Sequence, residues 1–484
     1  MQTYEFKTRP FDHQRRVLQD SWAAEHFALF LEMGTGKSKI AVDTMGLLFE
    51  AKQIDAALIV APKGVYDNWV KAEIPTHLPD RIERRVLRWS PSTTKKYMEE
   101  LEDFVTVKPE QRLLKVFVMN VEAFSTDRGV QVAKAFVVHN PNNILIVDES
   151  TTIKNRKAQR TKALVKLRER TRFRRILTGS PITKSPMDLY AQCELLKDRC
   201  LGFSSFFSFQ SRYANVQQRT MGHRSFHQIV GYRRLDELSE TLDKFSVRVL
   251  KEDCLDLPPK IYLRRNVELT PEQDRLYTQM KKLALAKLDS GELSTTASVL
   301  TQIMRLQQIC CGHFQPDDGD IQPIKNNRIS ELMDVIEEVS GKAIIWATYT
   351  HDILLISETL KKAYGTDAVA VYYGGTEQDE RQQIVSQFQD PESPLRFFVG
   401  QPRTGGYGIT LTAATTVIYY SNSYDLEIRL QSEDRAHRIG QQSKVTYIDL
   451  VSPDTIDEKI LEALKSKIDI AGQVLGEDAK SWLA

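Results

Sequence analysis

Short runs of apolar and β-branched residues, each ending in a polar loop, recur along the chain between longer stretches with helical spacing. AALIVAP (56–62), KVFVMN (115–120), NILIVDES (143–150) and RRILTGS (174–180) have this form, as does HFALFLEM (26–33). Continuous apolar runs of that length predict strands buried on both faces, and strands alternating with helices predict a parallel sheet covered by helices. A second set repeats the pattern: KAIIWAT (342–348), AVAVYYGG (368–375), RFFVGQPRTGG (396–406), TTVIYYSN (415–422) and KVTYIDLV (444–451). The expected fold class is therefore α/β, with two parallel-sheet units at about 1–190 and 325–470.

Residues 191–324 lack this alternation. TPEQDRLYTQMKKLALAKL (270–288) opens with Thr270 and then Pro271 at the first helical position, a strong helix start. LPPKIYL (257–263) reads as an extended connection, so the chain is expected to cross between units near 250–265. A mainly helical middle region and a helical tail over 471–484 complete the expected organisation.

Composition narrows the class only modestly. With 484 residues, more than one core is expected. No apolar run is long enough to span a bilayer, and the first residues lack the apolar centre of a signal peptide. The expected location is the cytoplasm or nucleoid, with no membrane contact. The 66 basic and 64 acidic residues nearly cancel, so a polyanionic partner must be met by local clusters. The basic run at 156–175 is one candidate for phosphate contact. Five cysteines without a C-x-x-C pair argue against a disulfide framework or structural zinc. Cys310, Cys311 and His313 read as a buried cluster at a helix end.

The polar loops carry the candidate chemistry. LEMGTGKS (31–38) lies between an apolar run and a helical pattern. Gly34 and Gly36 allow the backbone to wrap closely around phosphates, with Met33 and Thr35 in the same loop. Lys37 can reach the β- and γ-phosphates and Ser38 can hold Mg2+. Lys37 is expected to face solvent. Asp148 and Glu149 end an apolar run, where an acidic pair suits a metal–triphosphate site: Asp148 for the ion, Glu149 for the attacking water. In QSEDRAHRIGQ (431–441), Arg435 and Arg438 stand three apart, which predicts one helix face; that spacing suits a γ-phosphate approached across a cleft, and on its own it reads equally as a surface pair beside Glu433 and Asp434.

In order, these segments resemble the Swi/Snf family of DNA-translocating ATPases within helicase superfamily two, along nearly the whole chain. RPFDHQRRVL (9–18) is similar to its glutamine motif, which implies that Gln14 reads adenine. LEMGTGKS resembles its P-loop, which lacks the leading glycine. APKGVYDNWVKAEI (61–74) resembles motif Ia and VMNVEAF (118–124) motif Ib. DESTTIKN (148–155) resembles the DEAH-type box, and LTGSPI (177–182) motif III. LQQICCGHF (306–314) is similar to the family's inter-lobe segment. AIIWATYTHDILLI, YYGGTEQDERQQIVSQF and PRTGGYGITLTAAT (402–415) resemble motifs IV, IVa and V; QSEDRAHRIGQ nearly reproduces motif VI. Ser180, Pro402 and Thr410 depart from the family pattern.

The resemblance implies two RecA-like P-loop lobes, ATP and Mg2+ as cofactors, and double-stranded or branched DNA as partner. It also implies ATP contacts at Gly406 and Gly408, nucleic-acid contacts at Lys63, Thr178, Ser180, Arg403 and Thr404, and a coupling role for Gln431. The family generally tracks duplex DNA without separating strands, and the compact motif set is similar to small bacterial or phage-encoded members. A strand-separating or branch-migrating enzyme and an ATP-gated DNA-binding switch are the alternatives.

Overall fold

The computed structural model describes residues 4–107, 110–221, 224–254, 257–289, 296–316, 320–405 and 409–475. In chain order its strands are β1 (His26–Leu31), β2 (Ala56–Ala61), β3 (Arg84–Arg88), β4 (Leu114–Asn120), β5 (Asn143–Asp148), β6 (Phe173–Leu177), β7 (Ala214–Met221), β8 (Arg224–Tyr232) and β9 (Ser246–Val249). There follow β10 (Lys260–Asn266), β11 (His313–Phe314), β12 (Gln322–Pro323), β13 (Lys342–Trp346), β14 (Val369–Tyr372), β15 (Phe397–Gly400), β16 (Ala414–Tyr419) and β17 (Val445–Val451).

The chain divides into two compact units, one comprising 1–213, 233–256 and 470–478, the other 214–232, 257–469 and 479–484. In the first, a seven-stranded sheet has the order β3-β4-β2-β5-β6-β1-β9, every pair parallel. Its inner strands β2 and β5 are buried at every position, as a parallel strand with helices on both faces must be. Leu58, Ile59, Ile146 and Val147 are fully buried in that core.

The second unit holds a six-stranded parallel sheet, β10-β17-β16-β13-β15-β14. Both units are thus α/β, each built on a wholly parallel sheet. The chain leaves the first sheet at β9 and enters the second at β10, each an edge strand. The helices Pro271–Asp289 and Thr296–Cys311 pack through Tyr277, Leu306, Ile309 and Cys310. Cys310 and Cys311 are buried, and His313 faces Asp352 at 3.1 Å, also buried.

Between β6 and β9, both strands of the first sheet, the chain forms an element that the sequence pattern does not announce. Strands β7 and β8 form an antiparallel ribbon that is a sheet of its own.

Candidate functional site at the carboxyl ends of the first sheet

In the first sheet β5, β6 and β1 are neighbours. Their carboxyl ends therefore bring together three segments distant in sequence: the loop 32–36 after β1, Asp148–Glu149 at the end of β5, and Thr178–Ser180 after β6. Ligands of open parallel sheets bind at this edge.

The P-loop turns on two left-handed glycines, Gly34 at φ 82° and Gly36 at φ 92°. Gly36 is also the N-cap of the 14-residue helix Lys37–Glu50, and no side chain caps that helix. Its first-turn amides are thus directed at the loop, with the positive end of the helix dipole behind them. The glutamine motif braces this loop from below. Gln14 donates to the Thr35 carbonyl at 3.1 Å and accepts from the Phe11 amide at 3.0 Å; the His13 Nε2 lies 2.8 Å from the same Thr35 oxygen. A Cβ on Gly36 would overlap the Gln14 carboxamide. In this arrangement Gln14 holds the phosphate loop, and it is almost wholly buried.

Lys37 corrects one expectation. It is buried rather than facing solvent, with its ammonium donating to the Leu31 carbonyl at 2.9 Å and the Glu32 carbonyl at 3.3 Å. The loop that positions Lys37 also supplies oxygens for an ammonium that burial would otherwise leave undersolvated. Met33, Gly34 and Ser38 are partly exposed around it.

Asp148 ends β5 with both carboxylate oxygens held. Oδ1 accepts from the Glu149 amide at 3.0 Å, and Oδ2 accepts from the Trp69 indole at 2.9 Å. Burial pushes the Asp148 carboxyl above its usual range, opposed by the Trp69 hydrogen bond, the Lys37 charge and the Glu149 amide. Trp69 begins a π-helical turn, Trp69–Glu73, within the segment similar to motif Ia. Sequence reasoning missed it, because an indole among apolar neighbours reads as core. The tryptophan ring must find an acceptor when buried, and here the acceptor is the metal-binding candidate.

Glu149 has a left-handed backbone, φ 46° and ψ 62°, rare for a residue with a side chain. Its Oε2 accepts from the Thr178 hydroxyl at 3.4 Å, and the Ser180 amide donates to the Thr178 oxygen at 3.2 Å. Thr178 is only 1% exposed. Its hydroxyl serves the Glu149 carboxylate. Ser180 is partly exposed, and Lys63, two residues past the end of β2, is exposed.

The basic run at 156–175 is largely consumed within the fold. Arg175 is fully buried and donates to the Ser21, Trp22 and Ala24 carbonyls; burial lowers its pKa to about 9. Arg168 pairs with Asp198 at 3.1 Å and Arg174 binds the Leu196 carbonyl at 2.5 Å. Arg160 donates to the Thr152 carbonyl and Arg172 to Gln53. Lys157, Lys162 and Lys166 are exposed.

In the second unit the helix Leu426–Glu433 ends before the two arginines. Arg435 and Arg438 therefore lie in the turns after it, which corrects the expected single helix face. They converge nonetheless: the guanidinium groups donate to one carbonyl, that of Ile409, at 3.2 and 3.4 Å. The Arg435 carbonyl in turn accepts from the Leu411 amide at 2.9 Å. The segments similar to motifs V and VI are thus tied to each other. Arg403 is exposed, and Thr404 donates to Gln401 at 3.2 Å. Gly406 and Gly408 lie outside the described residues. Gln431 is buried, 3.4 Å from Glu427.

The helix before Arg435 is fixed by a buried ionic cluster. Arg429 bonds Asp449 at 2.5 and 3.1 Å, Asn422 at 2.6 Å and Glu433 at 2.8 Å, with its guanidinium 3.6 Å from the Tyr419 ring centre. Lys260 and Tyr262 from β10 complete the Glu433 shell at 3.1 and 2.8 Å. Such a cluster gives little net stability but makes removal of any one partner costly.

The SNF2-related domain model matches residues 13–315, and the helicase conserved C-terminal domain model matches residues 325–440. The chromatin structure-remodeling complex subunit snf21 of Schizosaccharomyces pombe is 26% identical over 467 residues, 92% of this chain and 37% of its own. The putative ATP-dependent helicase/translocase YwqA of Bacillus subtilis is 25% identical over 464 residues, 93% of this chain and 46% of its own. The chain thus spans less than half the length of these relatives. Among solved structures, the Sulfolobus solfataricus SWI2/SNF2 ATPase core in complex with dsDNA is 23% identical, with a TM-score of 0.43, covering 96% of this chain and 92% of its own. With one domain model covering well over half of its residues, this chain belongs to the SNF2-related family.

Proposed function

We propose that the protein is an ATP-dependent translocase on double-stranded DNA, a DNA-dependent ATPase that moves along or remodels its substrate without true strand separation. The observation that carries this reading is the convergence of the P-loop, Asp148–Glu149 and Thr178 at the carboxyl ends of three adjacent strands.

The residues present fit ATP and Mg2+. The uncapped first turn of Lys37–Glu50 and the two left-handed glycines form an anion cradle. Lys37 would exchange the Leu31 and Glu32 carbonyls for phosphate oxygens. Ser38 and Asp148 would hold Mg2+, which when bound supplies positive charge beside the β- and γ-phosphates. Glu149 would orient the attacking water and receive its proton at the carboxylate. The water oxygen bonds to the γ-phosphorus as the bond to the bridging oxygen breaks, leaving ADP and phosphate. Arg435 and Arg438 would stabilise charge on the γ-phosphoryl group in that transition state. Lys63, Ser180, Arg403 and Thr404 are the proposed DNA contacts, with Gln431 coupling them to the ATP site. Thr178, bonded to both Glu149 and Ser180, would link the Glu149 carboxylate to the rest of the segment similar to motif III.

The test is ATP turnover against single-stranded, duplex and branched DNA over a range of salt. Duplex DNA should raise turnover several-fold, and the stimulation should fall steeply as salt rises, because phosphate contacts release counterions. Turnover indifferent to every nucleic acid would overturn the reading.

A further inference from the structure

The ribbon β7–β8 has no place in the ATP chemistry, and its described residues form no core of their own. It forms a separate two-stranded sheet, eight residues paired with nine. Asn215, Val216, Gln217 and Gln218 on one strand and His227, Gln228 and Val230 on the other are exposed, so both faces of the ribbon meet solvent. A two-stranded ribbon in water is marginal unless something anchors it. Here the anchor lies at the base. The Arg233 amide donates to the Tyr213 carbonyl at 3.0 Å, and the Arg233 guanidinium donates to Ser211 and Arg212 carbonyls. Tyr213 is 1% exposed, ringed by Phe203 and Phe209, and its hydroxyl donates to Glu237 at 3.0 Å.

Charge sets this segment apart. Residues 214–234 contain four arginines, Arg219, Arg224, Arg233 and Arg234, and no carboxylate. The whole chain carries a net charge of +2, and its 64 acidic residues in 484 would place about three in a stretch of this length. The pairing register puts Gln217 opposite Gln228, Arg219 opposite Phe226 and Met221 opposite Arg224. Directly opposite positions share a face, so the backbone register assigns positions 217, 219, 224 and 228 to one face of the ribbon. At about 3.4 Å per residue the ribbon is roughly 27 Å long, and the major groove of duplex DNA admits a two-stranded ribbon of this kind.

We propose that β7–β8 is a duplex-DNA-binding arm, additional to the contacts at Lys63, Ser180, Arg403 and Thr404, whose arginines engage phosphates while its glutamines lie along the groove. The proposal rests on the translocase reading for its partner. Two variants test it: replacement of residues 216–230 by an Asn-Gly turn, and the double substitution Arg219→Glu/Arg224→Glu, which leaves the ribbon in place. Circular dichroism establishes that each is folded. Binding to a fluorescent duplex of about fifty base pairs, read by anisotropy at several salt concentrations, should weaken about tenfold near physiological salt in both variants. The dependence of log affinity on log salt should become shallower by roughly two in the double variant. Unchanged affinity and slope in both would overturn the proposal and leave the ribbon to a protein partner. Wild-type protein that binds duplex without a rise in ATP turnover would defeat the translocase reading instead, while leaving the comparison of variants decisive for the arm.

Discussion

The Trp69 indole donates to the Oδ2 of Asp148 across 2.9 Å, tying the segment similar to motif Ia to the carboxylate proposed to hold the metal ion. Motif Ia also carries Lys63, a proposed DNA contact. One hydrogen bond therefore links the two activities within a single lobe. Trp69→Phe keeps a ring in the core and removes the donor. Loss of a hydrogen bond to a charged acceptor is worth about 2 kcal/mol. Turnover at saturating ATP should drop about tenfold or more. The Asp148 carboxyl, already raised by burial, should rise further, so the acid limb of the rate–pH profile should move to higher pH. A variant with the wild-type rate and profile would remove Trp69 from the site.

Lys37→Ala should abolish turnover while the fold survives. The side chain's bonds to the Leu31 and Glu32 carbonyls are replaceable by water, at a stability cost of about 1 kcal/mol. Near-wild-type turnover by a folded variant would contradict the P-loop assignment.

The two arginines of the second unit should separate in their structural cost. Arg435 is buried and Arg438 is partly exposed, although both reach the Ile409 carbonyl. Alanine at either position should lower turnover at least a hundredfold and leave ATP binding nearly intact, because both act on the transition state. Arg435→Ala should additionally lower the thermal midpoint, and Arg438→Ala should not. Loss of ATP affinity in step with turnover would make that arginine a ligand of the ground state.

Asp43 lies in the helix after the P-loop, fully buried and 2.8 Å from Lys39. Burial raises its carboxyl to about 6, from an ordinary value near 3.8. Between those values the folded protein holds a proton that the unfolded chain releases. Stability contributed by this group is therefore present below pH 3.8 and lost as pH rises through 6, by at most about 3 kcal/mol. Comparison with Asp43→Asn isolates the effect from other groups. The variant's thermal midpoint should gain on the wild type as pH goes from 5 to 7. A difference constant over that range would assign the carboxyl an ordinary pKa.

Much of the fold is legible in the sequence because parallel strands buried on both faces write themselves as continuous apolar runs. AALIVAP and NILIVDES became β2 and β5, buried at every position. Asp148 and Glu149 were legible for the same reason: charge directly after such a run stands at a strand's carboxyl end. What was not legible depends on neighbours distant in the chain. Trp69 and Asp148 are 79 residues apart. Arg175 looks like surface charge until Ser21 and Ala24 are placed against it. The Arg435–Arg438 spacing suits a helix, but that helix stops at Glu433, where its side chain is held by Arg429, Lys260 and Tyr262. The ribbon β7–β8 escaped because its exposed faces lack the apolar alternation by which a half-buried strand is recognised.

The most direct test of a motor that moves along closed duplex DNA is displacement of a triplex-forming third strand. The protein should release that strand from its duplex only with ATP. It should fail to separate a tailed duplex of about twenty base pairs, where each stacking step is worth about 1.4 kcal/mol. Efficient unwinding of the tailed duplex without triplex displacement would contradict the account and make the protein a strand-separating helicase.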